Sequence, residues 1–312
     1  ADRNRFGKYG TFLNHIGIVT LLGAAVLGGA FGWRDDGFMV PEGSTRTISY
    51  QPSLSVRSDA FVDEYYPNGT AKDFRSDLVV LENGNEVARK TIRVNDPLEY
   101  KGIRIHQAFF GPSTVMRVTD PEGKVIFEDG VALGYEFTGG GIARNGGFFT
   151  LNNRRLAVYV LVPAAQRGPD PDIPAGSVRL EIFEPRQAQP SAIETLPQGE
   201  QKQIMGHTFE FLRERQFSGL QVAYNPAINA IWFAAACMII GTIVVFHFPL
   251  RRLWVRIDTP DDAGTSDPGS TGVRLRVAAI GNRDILFARE FETLALTLEK
   301  EVVGSSPKTQ DG

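Results

Sequence analysis

Two unbroken apolar runs bracket a long stretch in which apolar and polar positions alternate. The first is TFLNHIGIVTLLGAAVLGGAFGW, Thr11 to Trp33, and the second is AINAIWFAAACMIIGTIVVFHFPL, Ala227 to Leu250. Each supplies the ~20 residues that an α-helix needs to cross a hydrocarbon layer. The second run contains no Asp, Glu, Lys or Arg, which makes it the stronger span. A secretory signal has a shorter apolar region, about 7–15 residues, ending at a small-residue cleavage site. The first run is longer and continues into WRDDGFMV, so it reads as a retained transmembrane helix.

Between the runs, residues 34–226 carry the short alternation of β-strands punctuated by turn residues. LVVLENGNEVARKTIRV places Asn83-Gly84 between two strands, a strong hairpin signal. VMRVTDPEGKVIFEDG repeats the design around Asp120 to Gly123, while EYYPNGT and TGGGIARNGG read as further loops. RLAVYVLV and VRLEIFE are strands separated by the loop QRGPDPDIPAGS. The pattern predicts a large, antiparallel, sandwich-like β domain. Beyond the second run, DTPDDAGTSDPGSTG (258–272) reads as an acidic linker, VRLRVAAIG as a strand, and 284–303 as an amphipathic helix with Asp284 as its N-cap. Residues 251–312 thus form a small α/β tail.

Charge orients this plan. Arg3, Arg5 and Lys8 precede the first run, and Arg251, Arg252 and Arg256 follow the second. The positive-inside rule puts both clusters on the cytoplasmic side. The expected order is a cytoplasmic flank (1–10), a transmembrane helix (11–33), an extracytoplasmic β-rich domain (34–226), a second, antiparallel transmembrane helix (227–250) and a cytoplasmic tail (251–312). Trp33 and Trp232 fall near the outer interface, Tyr9 and Trp254 near the inner one. The net charge of −3 over 312 residues carries no nucleic-acid signal. The single cysteine, Cys237, excludes an intrachain disulfide, a Cys-x-x-Cys pair and covalent haem attachment through Cys-x-x-Cys-His. No Gly-x-Ser-x-Gly, P-loop or zinc-protease motif is present.

Four blocks, in order, resemble the ResB-like family of System II cytochrome c biogenesis. They are FGKYGTFLNHIGIVTLLGAAVLGGAFGW, then FVDEYYPNGTAKDFRSDLVVLENGNEVARKTIRVNDPLEYKGIRIHQAFFG, then FSGLQVAYNPAINAIWFAAACMIIG, then FPLRRLWVRI, together covering Phe6 to Ile257. The resemblance implies a multi-pass protein of the bacterial cytoplasmic membrane that works with a ResC/CcsA-type membrane protein. It would help move haem b, bound transiently, across the membrane to apocytochrome c. At most the chain would be a non-catalytic or ligand-donating part of a holocytochrome c synthase complex. The family's tryptophan-rich motif belongs to the partner, and Trp33, Trp232 and Trp254 are scattered here. Family members carry two further helices ahead of the histidine-bearing one, so a truncated or shortened relative is expected. His106 stands where the family has an aromatic residue. The alternative reading is a structural accessory subunit that does not handle haem.

Two histidines lie in the runs. His15 shares a helical face with Val19, Leu22, Val26 and Gly29. Thr20, Ala24, Gly28 and Gly32 form a small-residue stripe on nearly the opposite face, suited to close helix packing. An ionisable residue inside a membrane span is costly and faces a partner, a cavity or a ligand. Neutral imidazole ligates haem iron, which makes His15 the first axial-ligand candidate. The antiparallel topology places His247 in the same leaflet at similar depth, so it is the second candidate, alongside an interfacial role. Arg251 and Arg252 are candidate partners of haem propionates as well as topology signals. His106 alternates with Ile103 and Ile105 and points away from the strand's core side, and His207 follows Gly206 at a turn.

Overall fold

The computed structural model describes residues 4–139, 142–151, 156–164, 170–248, 251–258, 274–281 and 285–304. Outside the described residues lie Arg3, the linker from residue 259 onward, Leu250 at the end of the second run, and the N-cap expectation at Asp284. The chain divides into a β-rich unit, Phe31–Pro226, and a second unit formed by residues 1–30 and 227–312.

The β-rich unit contains β1 (Trp33–Pro41), β2 (Thr45–Ile48), β3 (Gln51–Tyr65), β4 (Ala71–Glu82), β5 (Asn85–Arg93), β6 (Leu98–Tyr100), β7 (Ile103–Thr119), β8 (Val125–Ala132), β9 (Tyr135–Gly139), β10 (Ile142–Leu151), β11 (Leu156–Pro163), β12 (Ser177–Phe183), β13 (Ala192–Pro197), β14 (Gln201–Ile204) and β15 (His207–Tyr224). All their ladders are antiparallel. One sheet runs β1-β15-β7-β6, with β14 paired to β15 and β8 paired to β7; the others run β2-β3-β4-β5 and β13-β12-β11-β10-β9.

The β7–β15 ladder, Ile103↔Tyr224 to Thr119↔Thr208, passes through two separate cores. One core joins Met116, Val118, Phe209 and Phe211 to Val158, Val160, Leu180 and Ile182 of the five-stranded sheet. The other joins Ile103, Ile105, Leu220 and Val222 to Val56, Leu78, Val80 and Ile92 of the four-stranded sheet. In β15 the core residues are odd-numbered near one end and even-numbered near the other, and in β7 the parity reverses likewise. Register shifts between Phe211 and Arg213 and between Gly219 and Leu220 account for this, because one extra residue moves all later side chains to the other face.

The turn chemistry acts as the sequence predicts. Asn83 and Gly84 have φ of 51° and 84°, both left-handed, as a two-residue type I′ hairpin requires. At the second turn, Asp120 Oδ1 accepts from the amides of Glu122 (3.1 Å) and Lys124 (2.8 Å). One loop expectation is corrected. Within TGGGIARNGG, residues from Ile142 onward belong to β10. Gly146 and Gly147 serve close packing within that strand: a Cβ on Gly147 would stand 2.0 Å from the Ala132 carbonyl oxygen.

The second unit holds α1 (Asn4–Phe31), α2 (Ile228–His247), the antiparallel hairpin β16 (Arg251–Asp258) and β17 (Arg274–Gly281), and α3 (Ile285–Gly304). Residues Lys8–Phe31 and Ile228–His247 are the two stretches long and apolar enough to cross a membrane among the described residues. The strand β16 is a finding: its three arginines hide the alternation of Leu253, Val255 and Ile257.

Candidate functional site

Small residues set how α1 and α2 meet. In α1 the buried positions Gly10, Gly17 and Ala24 recur every seven residues, and Ala227, which caps α2, and Ala234 and Gly241 within it do the same. A seven-residue repeat keeps one seam facing its partner when helices wind around each other left-handedly. The contact is backbone to backbone. A Cβ on Gly17 would lie 2.9 Å from the Ala234 carbonyl oxygen and 2.6 Å from Met238 Cγ, and one on Gly241 would lie 2.7 Å from the Gly10 carbonyl oxygen. Of the predicted stripe, Ala24 is buried and Thr20 and Gly28 are half-buried, whereas Gly32 lies just past the helix. The tightest positions, Gly10 and Gly17, escaped the sequence reading. Cys237 is buried in α2.

A side-chain hydrogen bond joins the helices at the seam: Thr242 Oγ1 donates to Asn14 Oδ1 at 3.3 Å. The next residue, His15, turns the other way. It is exposed, and so are Phe12, Val19, Leu22 and Val26. The face that carries the histidine is therefore the face of α1 that α2 leaves open. The His15 Nδ1 lies 2.8 Å from the Thr11 carbonyl oxygen. A carbonyl oxygen only accepts, so Nδ1 carries the proton in this bond. In the neutral ring the Nε2 lone pair then points outward. Histidines that ligate metals commonly donate their other ring N–H to a carbonyl or carboxylate, which fixes the tautomer in this sense.

The helix register separates the two candidate histidines. Gly241 fits between Gly10 and Asn14, and Gly17 fits against Ala234 and Met238. His15 is accordingly level with Met238, and His247 lies nine positions further along α2, about 13 Å at 1.5 Å per residue. Two nitrogens on one iron are separated by about twice a metal–imidazole bond of ~2 Å. Antiparallel topology implies the same end of the pair, but within this chain the structure does not bring His15 and His247 together. His247 is exposed and lies 6.1 Å, ring to ring, from Phe248. Arg252 is exposed, and Arg251 opens β16.

The other histidines lie in the β-rich unit. His106, on β7, is half-buried opposite Gln221 of β15, between the buried Ile105 and the half-buried Gln107. His207 follows the Met205-Gly206 turn, and its Nδ1 lies 3.1 Å from the Met205 carbonyl oxygen. Among the described residues no group of three His, Cys, Asp or Glu side chains converges as a metal site.

Comparison with known proteins adds the following. The sequence profile of the ResB-like family matches residues 1–292. A cytochrome c biogenesis protein CcsB from Trichormus variabilis (strain ATCC 29413 / PCC 7937) is 29% identical over 275 residues, covering 81% of this chain and 54% of that protein. A CcsB from Synechococcus sp. (strain WH7803) is 25% identical over 300 residues, covering 94% of this chain and 62% of its own length. A third CcsB, from Synechococcus sp. (strain JA-3-3Ab), is 33% identical over 117 residues, 35% of this chain and 24% of that protein. This chain thus spans less than two thirds of the length of each of these relatives.

Proposed function

The chain belongs to the ResB-like family, and from that premise we propose that it is a membrane subunit of a cytochrome c assembly complex which helps house haem and deliver it to apocytochrome c. Three relatives bearing the name cytochrome c biogenesis protein support the role. The observation that carries the haem reading is the state of His15. Its Nδ1–H is committed to the Thr11 carbonyl, which leaves Nε2 as a donor atom on an open, apolar helix face.

In this reading His15 is one axial ligand of a transiently bound haem b. The second ligand comes from a ResC/CcsA-type membrane protein packed against the Phe12–Val26 face. A bound haem would supply an iron centre that His15 would hold through Nε2. The chain's own contributions are positional. The Gly10, Gly17 and Gly241 contacts fix the rotation of α1, and the Asn14–Thr242 hydrogen bond locks its register. Together they turn His15 outward. His247 is a second, separate ligand candidate, and Arg251 and Arg252 follow it closely enough in sequence to pair with propionates there rather than at His15. Both termini lie on the cytoplasmic side and the β-rich unit lies outside, in keeping with the basic flanks.

The test is the Soret spectrum of the chain purified with its membrane partner in mild detergent. We expect bound haem in the wild type and its loss or a shifted spectrum in His15→Ala, with a smaller change in His247→Ala. Unaltered haem in His15→Ala would overturn the ligand assignment. A wild-type complex without haem would favour the accessory, non-haem reading.

A further inference from the structure

The hairpin that follows α2 has two unlike faces. Its ladder sets Arg252 opposite Ile280, Trp254 opposite Ala278 and Arg256 opposite Arg276. Alternation puts these six residues on one face, and Leu253, Val255, Leu275, Val277 and Ala279 on the other. Helix α3 lies against the β17 part of the apolar face: a Cβ on Gly281 would fall 2.4 Å from the Phe287 ring, and Leu275, Val277 and Ala279 are half-buried, while Leu253 and Val255 of β16 stay exposed. The opposite face is open, and all six of its residues are exposed. It carries three exposed arginines and one indole, with Arg256 and Arg276 at directly paired positions.

We propose that this face lies on the bilayer surface and binds the anionic headgroups of phospholipids in the leaflet from which α2 emerges. Continuity with the span supports it. Helix α2 ends at His247 and β16 begins at Arg251, so four extended residue steps of at most ~3.6 Å keep the strand within about 14 Å of the helix end. Charge and shape complementarity support it further. Arginine pairs with phosphate through two parallel N–H donors, clustered basic residues beside a span are drawn to anionic lipid, and tryptophan prefers the headgroup level. Trp254 and Ile280 supply apolar surface between the charges, at 45% and 61% exposure. A nucleic acid or an acidic protein would use the charges but not a location tethered this closely to a membrane helix.

The test uses the full chain in nanodiscs of phosphatidylcholine alone or with a quarter phosphatidylglycerol. Ala278→Cys places a thiol in the centre of the patch, and Glu292→Cys places one on α3. The buried Cys237 of the parent sets the background. A bulky, uncharged maleimide reports access. We expect Ala278→Cys to label at least fivefold more slowly in the anionic discs, with the difference lost in 0.5 M salt or on adding Arg252→Gln, Arg256→Gln and Arg276→Gln together. Glu292→Cys should label alike in both discs, with or without the arginine changes, which also shows that the hairpin–helix module remains folded. Equal rates at Ala278→Cys in the two discs would overturn the proposal, as would equal slowing of Glu292→Cys.

Discussion

Gly10 and Gly241 bring the two apolar helices into backbone contact: a Cβ added to either would stand 2.7–2.8 Å from the carbonyl oxygen of the other. Real Cβ atoms do not approach oxygen so closely, so a side chain at either position must push the helices apart. Overpacking of this kind costs about 1–3 kcal/mol. By contrast, nothing lies within 4 Å of a Cβ built on Gly23 of the same helix.

Gly241→Ala is therefore expected to lower stability by about 1–3 kcal/mol. Gly23→Ala should be neutral or stabilising by up to about 1 kcal/mol through helix propensity alone. Denaturant titration of the full chain in mixed micelles reads both. Equal effects at the two glycines would show that the helices do not pack through this seam.

Much of the plan was legible in the sequence, and the gaps have physical causes. The Asn83-Gly84 hairpin was readable because a two-residue turn depends on those two residues alone. The β7–β15 ladder was not, because it pairs positions about a hundred residues apart and bulges interrupt its alternation. At the candidate site, His15 stood out as an ionisable ring in an apolar run. Its outward rotation could not be read, since that depends on which glycines meet α2. Nor did topology give depth: flanking charges decide which side a helix end lies on, and only the Gly10–Gly241 and Gly17–Met238 contacts set the level.

In the β-rich unit, Arg144 and Asp170 form a two-pronged ion pair, Nε to Oδ2 at 2.7 Å and a terminal nitrogen to Oδ1 at 2.9 Å, with the Asp170 side chain only 2% exposed. The hydrogen bonds from Arg144 hold the Asp170 carboxyl down at about 2, from an ordinary 3.8. A depressed acid contributes stability that is fully present above its unfolded value and is lost as pH falls through the folded one. Stability should drop by up to about 2 kcal/mol between pH 4 and pH 2 on this account, at ~1.36 kcal/mol per unit. Asp170→Asn should flatten that part of the profile, as followed by thermal unfolding. Arg144→Met should cost more, about 3–5 kcal/mol at neutral pH, because it strands a buried carboxylate. An Asp170→Asn profile as steep as wild type would place the titration elsewhere.

The separation of His15 from His247 can be tested without haem. Asn14 and Thr242 share a hydrogen bond of 3.3 Å, so cysteines at these positions would face each other across the seam, where a disulfide needs β-carbons ~3.5–4.5 Å apart. His15 and His247 sit about 13 Å apart along the helices, and His15 faces away from the seam. In a Cys237→Ala background, Asn14→Cys with Thr242→Cys should cross-link on mild oxidation, and His15→Cys with His247→Cys should not. A protease site inserted at the exposed Asn68-Gly69 turn makes the result visible. After cleavage, a cross-linked chain runs as one band on a non-reducing gel, and an unlinked chain runs as two. Cross-linking of the histidine positions and failure at Asn14 and Thr242 would slide the helices by more than two turns. That register would bring both imidazoles to one level and restore a ligand pair within a single chain. The expected pattern instead leaves His15 alone on its face, and under the proposed haem reading a second ligand would then have to come from another subunit.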